Sequence, residues 1–127
     1  MFFKKANKID NRIDTLIGAD TRIDGDMVFS GGLRVDGTIR GNVTESPSTP
    51  STIILSEHGH IEGAVTAAKI VLNGAVTGPV KSSQFIELQT KARITGDLQY
   101  KSLEMHTGAV IDGKLVHLED NATNSMD

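Results

Sequence analysis

The chain has 127 residues and a mass of 13.6 kDa, which predicts a single domain. It contains no cysteine, which excludes disulfide bonds and zinc–thiolate sites, and its formal net charge of -3 lacks the basic excess of a nucleic-acid-binding domain. Its 13 glycines, with one tyrosine and no tryptophan, suit a narrow stacked core better than a globular one.

The chain starts with Met1-Phe2-Phe3-Lys4-Lys5, and an apolar stripe at helical spacing continues through residues 1–14. This pattern fits either a short amphipathic helix or a flexible tail. Both phenylalanine rings could insert into an anionic lipid leaflet, and each lysine would add up to about 1 kcal/mol of attraction. The alternative is a disordered basic terminus without a membrane role. One such tip binds weakly, whereas many tips on one polymer bind by avidity.

No apolar run approaches the roughly 20 residues that a transmembrane helix needs, and the basic start lacks the apolar centre of a signal peptide. We therefore expect a cytoplasmic protein. The acidic end of the chain, residues 119–127, is predicted to be a flexible tail.

One short pattern recurs along the chain: an apolar residue, any residue, glycine, any residue and a second apolar residue. Its six copies are centred on Gly25, Gly41, Gly63, Gly78, Gly96 and Gly113. These glycines lie 15 to 22 residues apart. A repeat of this length favours a solenoid whose coils stack on one another.

A pair of apolar residues at positions i and i+2 precedes each of the last five glycines. The pairs are Leu33/Val35, Ile53/Leu55, Ile70/Leu72, Ile86/Leu88 and Leu103/Met105. Such spacing is typical of a strand with one buried face. Two strands per coil are therefore predicted, and a third is expected after each glycine motif. The prediction is an all-β fold: a triangular β-helix, or solenoid, of about six coils over residues 15–118.

Two segments depart from the repeat. Residues 45–52 are polar and contain two prolines, which predicts a loop that leaves one corner. This loop is either a docking or phosphorylation site or a tolerated insertion. Pro79 cannot donate a ladder hydrogen bond and is predicted to mark a corner. Stacking also predicts an opposite-charge pair between Asp97 and Lys114 on neighbouring coils.

Histidines provide the only spacing that suggests a metal site. His58 and His60 share one face of an extended segment, but two ligands at a corner do not make a site. His106 and His117 lie coils away, with no carboxylates expected around them. No P-loop, dinucleotide fingerprint or Gly-x-Ser-x-Gly motif occurs. We therefore expect no metal, no cofactor, no catalytic residue and no binding of nucleotide or nucleic acid.

A stack of coils ends in unpaired strand edges above an apolar cross-section. Monomeric solenoids cover such ends with polar caps, and we expect the ends of this solenoid to be uncapped. End-to-end association into a filament is therefore predicted. Its expected contacts are Leu16, Ile17 and Ile23 near the first coil, and Leu103, Met105, Val110, Ile111 and Leu115 near the last.

The sequence resembles the bactofilins, small bacterial cytoskeletal proteins. The likeness rests on the glycine-centred coils across residues 15–118, on Gly-Gly-Leu-Arg-Val-Asp-Gly-Thr-Ile-Arg-Gly at 31–41, and on the Met-Phe-x-Lys-like start. The resemblance implies a right-handed triangular β-helix that polymerises without nucleotide, through head-to-head and tail-to-tail contacts, into filaments without polarity. It also implies membrane targeting by Met1, Phe2, Phe3, Lys4 and Lys5. The resemblance further implies a location on the cytoplasmic face of the inner membrane and a scaffold for cell-wall synthesis or remodelling proteins, cell shape, stalks, polarity or chromosome-organising proteins.

A β-helical enzyme of the acyltransferase or γ-carbonic-anhydrase type is the competing hypothesis. Apolar residues at 23, 29 and 35 lie six apart, as in the hexapeptide repeat of such acyltransferases. That period is not maintained downstream, and a third histidine for a zinc site is missing. A monomeric peptide-binding solenoid would need capped ends, which the sequence lacks.

Overall fold

The computed structural model describes residues 12–119. Within them, no helix has the length and apolarity that a membrane span requires. The strands are β1 (Thr15–Ile17), β2 (Arg22–Asp24), β3 (Met27–Phe29), β4 (Gly32–Val35), β5 (Thr38–Arg40), β6 (Val43–Glu45), β7 (Thr52–Leu55), β8 (His60–Glu62), β9 (Val65–Leu72), β10 (Ala75–Thr77), β11 (Val80–Leu88), β12 (Arg93–Thr95), β13 (Leu98–Tyr100), β14 (Leu103–Met105), β15 (Val110–Asp112) and β16 (Leu115–His117).

Each coil has three sides, and equivalent sides of successive coils pair in parallel. The first face contains β1, β4, β7, the second halves of β9 and β11, and β14. The second face contains β2, β5, β8, β10, β12 and β15. The third contains β3, β6, the first parts of β9 and β11, β13 and β16. The result is a parallel β-solenoid of six coils, which confirms the predicted fold and its third strand.

Four apolar columns fill the interior of the solenoid. Their side chains point inward from alternate strand positions, and in-register stacking places equivalent residues about 4.8 Å apart on adjacent coils. Coils two to five contribute Leu33, Val35, Ile39, Val43, Ile53, Leu55, Ile61, Val65, Ile70, Leu72, Val76, Val80, Ile86, Leu88, Ile94 and Leu98, all of them 0% or 1% exposed. The apolar pairs recognised in the sequence form the first two of these columns.

The repeated glycines form a column of their own at the corner between the second and third faces. Gly78 has a φ of +148°, and a Cβ there would lie 2.3 Å from the carbonyl oxygen of Gly63. Consecutive coils can approach so closely at this corner only because glycine has no side chain. Gly25 has a similar backbone, with a φ of +132°, but a Cβ there would meet nothing within 4 Å, because it belongs to the first coil.

The side chain that follows the glycine joins neighbouring coils at the same corner. Oδ1 of Asp26, of Asn42 and of Asp97 each accepts a hydrogen bond of 2.9 Å from the backbone N–H of the equivalent residue one coil later. For Asp97 the donor is the backbone N–H of Lys114. The predicted charge pair between these two side chains is therefore wrong, because the carboxylate bonds the backbone instead.

Pro79 lies between β10 and β11, at this corner, as predicted. The equivalent residue one coil earlier is Ala64, which has no side-chain acceptor, so the missing N–H of the proline loses no such hydrogen bond. The carbonyl of Pro79 still accepts a hydrogen bond of 2.9 Å from the N–H of Val65. The proline is tolerated because the coil before it offers no side-chain acceptor at this position.

The polar insertion is shorter than predicted, because β6 extends to Glu45 and β7 begins at Thr52. Its loop, residues 46–51, leaves the corner between the third and first faces. Oε1 of Glu45 accepts hydrogen bonds from the backbone N–H of Ser51 at 2.7 Å and of Ala68 at 2.9 Å. One carboxylate therefore ties the end of the loop to the coil beyond it, and the parallel ladder continues past the insertion.

Candidate functional site: the open ends of the solenoid

Both ends of the described solenoid have strand edges without a partner strand. β1, β2 and β3 pair only with strands of the second coil, and β14, β15 and β16 pair only with strands of the fifth. Within residues 12–119 no strand pairs with their outer edges. Such edges present free N–H and C=O groups that can template the pairing of another strand.

The last coil ends the four apolar columns with Leu103, Met105, Ile111 and Leu115. Met105 is 45% exposed and Leu115 is 52% exposed. Their register partners on the fifth coil, Leu88 and Leu98, are both 0% exposed. Apolar columns that are buried inside the molecule are thus exposed to solvent at this end. Full burial of each such side chain would stabilise a contact by about 1.5–3 kcal/mol.

The residues that end the apolar columns at the first coil are less exposed than those at the last. Ile17 is 7% exposed, and Ile23 and Met27 are half-buried against the core. Met27 was missed as an interface candidate, although it ends the first copy of the glycine repeat. The two ends of the solenoid therefore differ, and the residues that end the apolar columns are more exposed at the last coil than at the first.

Two of the predicted interface residues lie on the flanks of the terminal coils. Leu16 pairs in register with Arg34 and Val110 with Arg93, so both side chains point away from the core. They are 58% and 43% exposed. Val116 is similar, with an exposure of 44% and an outward position beside Gln99. An end-to-end contact would bury the column residues first and these flanking residues only at its rim.

The predicted membrane-binding residues Met1, Phe2, Phe3, Lys4 and Lys5 lie outside the described residues, as does the acidic tail after Glu119. The described solenoid begins slightly before the predicted boundary at residue 15. The N–H of Asp14 donates to the carbonyl oxygen of Gly32 at 2.8 Å, and Oδ2 of Asp14 accepts from the N–H of Gly32 at 2.8 Å.

The histidines are arranged differently from the sequence expectation. His58 lies at a corner with its side chain 77% exposed, and His60 lies in β8 with Nδ1 3.7 Å from Oε2 of Glu62. His106, in contrast, has its Nε2 2.9 Å from Oε2 of Glu87 and 3.0 Å from Oε2 of Glu104. The expectation that no carboxylates surround His106 is therefore wrong.

Comparison with known proteins points to one family. A family model described as "Bactofilin: Polymer-forming cytoskeletal" matches residues 15–116. Bactofilin BacO of Myxococcus xanthus is 26% identical over 102 residues, which cover 80% of this chain and 78% of that protein. Bactofilin BacP of the same organism is 24% identical over 112 residues, which cover 88% of this chain but only 45% of BacP.

A solved structure gives the same result at the level of the fold. The cryo-EM reconstruction of Thermus thermophilus bactofilin double helical filaments superposes with a TM-score of 0.73 and 30% sequence identity. The match covers 82% of this chain and 99% of the Thermus chain.

Proposed function

Because the chain belongs to the bactofilin family of polymer-forming cytoskeletal proteins, we propose that it assembles end to end into filaments without nucleotide. The observation that carries this proposal is the exposure of Met105 and Leu115 at the end of columns that are fully buried one coil earlier. A second copy docked at this end would continue the apolar columns and pair the free strand edges. The double helical filaments named for the Thermus relative support filament formation by this chain.

Electron microscopy of the purified full-length chain tests the proposal. Filaments are expected in the absence of nucleotide, and added ATP or GTP should change neither their number nor their length. A field of discrete particles would contradict the proposal. Closed trimers would favour the β-helical enzyme class instead, since such enzymes complete their sites between subunits of a closed oligomer.

The filament is further proposed to lie on the cytoplasmic face of the inner membrane, where it recruits cell-wall synthesis or remodelling proteins. Support comes from the start of the chain, where Phe2 and Phe3 precede Lys4 and Lys5. Aromatic rings insert at the lipid interface, and lysines are attracted to anionic headgroups. A filament presents many copies of this tip, so attachment would follow assembly.

Deletion of residues 1–5 is expected to lower co-sedimentation with anionic liposomes while filaments still form. The physical reason is the loss of both aromatic rings and two positive charges from every subunit. Liposome pelleting, with electron microscopy of the same samples, measures both properties. A variant with Lys4→Gln and Lys5→Gln should show an intermediate loss that disappears on neutral vesicles. Unchanged binding after the deletion would refute the assigned tip.

A further inference from the structure

Three side chains that can bind a metal ion meet on the outside of the first face, where the fifth and sixth coils adjoin. Glu87 in β11 and Glu104 in β14 are register partners. His106 directly follows β14, at the beginning of the next corner. One ligand atom from each of the three lies within 4.8 Å of the other two.

The charges in this cluster are not balanced by lysine or arginine. Two carboxylates side by side on adjacent strands repel each other. Among residues 12–119, neither Glu87 nor Glu104 has a lysine or arginine nitrogen within 4.0 Å, and His106 is the only ion-pair partner of both. A bound cation would therefore relieve the repulsion between the two carboxylates.

The imidazole of His106 provides a second, independent indication of a ligand. Its Nε2 has less than 1 Å² of accessible surface and makes no hydrogen bond within residues 12–119, although the two carboxylate oxygens lie 2.9 Å and 3.0 Å away. The side chain as a whole is 38% exposed and that of Glu104 is 58% exposed. An ion could therefore enter from the Glu104 side and reach a nitrogen whose only contacts with the two carboxylates are ion pairs.

We propose that Glu87, Glu104 and His106 bind a divalent transition-metal ion, with Zn²⁺ as the preferred occupant. Bonds of about 2.1 Å from zinc to imidazole nitrogen and carboxylate oxygen, in the tetrahedral geometry that zinc prefers, place ligand atoms about 3.4 Å apart. The observed distances from Nε2 to the two carboxylate oxygens are 2.9 Å and 3.0 Å, so small rotations of the two partly exposed glutamate side chains would admit the ion. One imidazole with two carboxylates favours zinc over Mg²⁺, which prefers an all-oxygen shell.

A bound ion would join the sixth coil to the fifth beside Met105, which lies between two of the ligands in sequence and faces the open end. The ion would thus stabilise the coil whose column residues Met105 and Leu115 are exposed. Metal binding itself does not depend on assembly, because all three ligands come from one chain.

Zinc binding to the untagged full-length chain, measured by equilibrium dialysis with zinc chloride, tests the proposal. About one Zn²⁺ per chain is expected, and excess Mg²⁺ should not displace it. His106→Gln and Glu87→Gln should each weaken zinc binding at least about tenfold. His60→Gln is the matched control, because His60 is also a partly exposed histidine beside a glutamate, and it should keep the wild-type affinity.

Circular dichroism of each variant establishes that the solenoid is folded, and glutamine preserves most of the side-chain volume at each position. Zinc binding that does not saturate near one ion per chain would overturn the proposal. So would a folded His106→Gln variant that binds zinc as tightly as the wild type. Electron microscopy of the same samples shows whether filaments form, so a failure of zinc binding can be distinguished from a failure of assembly.

Discussion

Replacing Leu115 with arginine is expected to abolish long filaments. Leu115 ends an apolar column at the last coil and is 52% exposed, so an end-to-end contact would enclose its side chain. An arginine there would be a buried charge without a partner, which costs at least about 3 kcal/mol per contact. That loss weakens each contact by a factor of about 100. Electron microscopy and light scattering after size exclusion would measure it, and Met105→Arg should act in the same way.

The size of the remaining species reports how the copies are oriented. If head-to-head and tail-to-tail contacts alternate, Leu115→Arg breaks only one kind of contact and leaves dimers. If the contacts are head-to-tail, monomers remain. Val116→Arg is the matched control, because Val116 is 44% exposed but points away from the column, and it should leave filaments intact. Wild-type filaments from Leu115→Arg would contradict the assigned interface.

Replacing Gly78 with alanine is expected to destabilise the solenoid by at least about 2 kcal/mol more than the same change at Gly25. Both glycines have a φ that L-residues rarely adopt, +148° and +132°, so both variants carry a similar backbone strain of about 1–3 kcal/mol. Only at Gly78 would the new Cβ also lie 2.3 Å from the carbonyl oxygen of Gly63. That overlap would force two coils apart.

Urea unfolding followed by circular dichroism would measure the difference between the two glycine variants. The measurement is best made in the Leu115→Arg background, because assembly stabilises the folded state and makes unfolding depend on protein concentration. Equal losses of unfolding free energy at both positions would mean that backbone strain, rather than the close approach of coils, explains the glycine column.

The interior could be predicted from the sequence because parallel in-register stacking makes equivalent positions repeat. Ile70 and Leu72, for example, lie on Ile53 and Leu55 of the preceding coil. The glycine corner repeats for the same reason, since a side chain at any of its inner coils would collide with the backbone of the coil before it. Features that recur on every coil are therefore visible in one sequence.

The orientation of single side chains in the terminal coils was harder to predict. In β1 the inward positions belong to Thr15 and Ile17, which pair with Leu33 and Val35. Leu16 is more apolar than Thr15, yet it points outward, because the alternation of a strand outweighs the preference of one residue. Apolar residues at outward positions and polar residues at inward positions occur in a terminal coil because only one neighbouring coil buries its side chains.

The cluster around His106 could have been found in the sequence from the register of the strands, although the spacing of the histidines did not indicate it. The apolar pairs Ile86/Leu88 and Leu103/Met105 align in register, which places Glu87 beside Glu104. His106 follows Met105 and stacks on the corner that begins after Leu88, where its N–H donates to the Leu88 carbonyl at 2.8 Å. Aligning the residues within and directly after these apolar pairs brings all three side chains of the proposed site together.

The strands of all three faces are stacked along the direction in which copies are proposed to join. An end-to-end filament would therefore repeat the spacing between strands along its whole length. Oriented fibres should give a meridional X-ray reflection at about 4.8 Å, a reflection that cross-β fibres also give. Amyloid is commonly recognised by the same reflection. A reflection that wild-type samples give, and that Leu115→Arg samples prepared in the same way lack because they form no filaments, would distinguish a native polymer of this protein from a misfolded deposit.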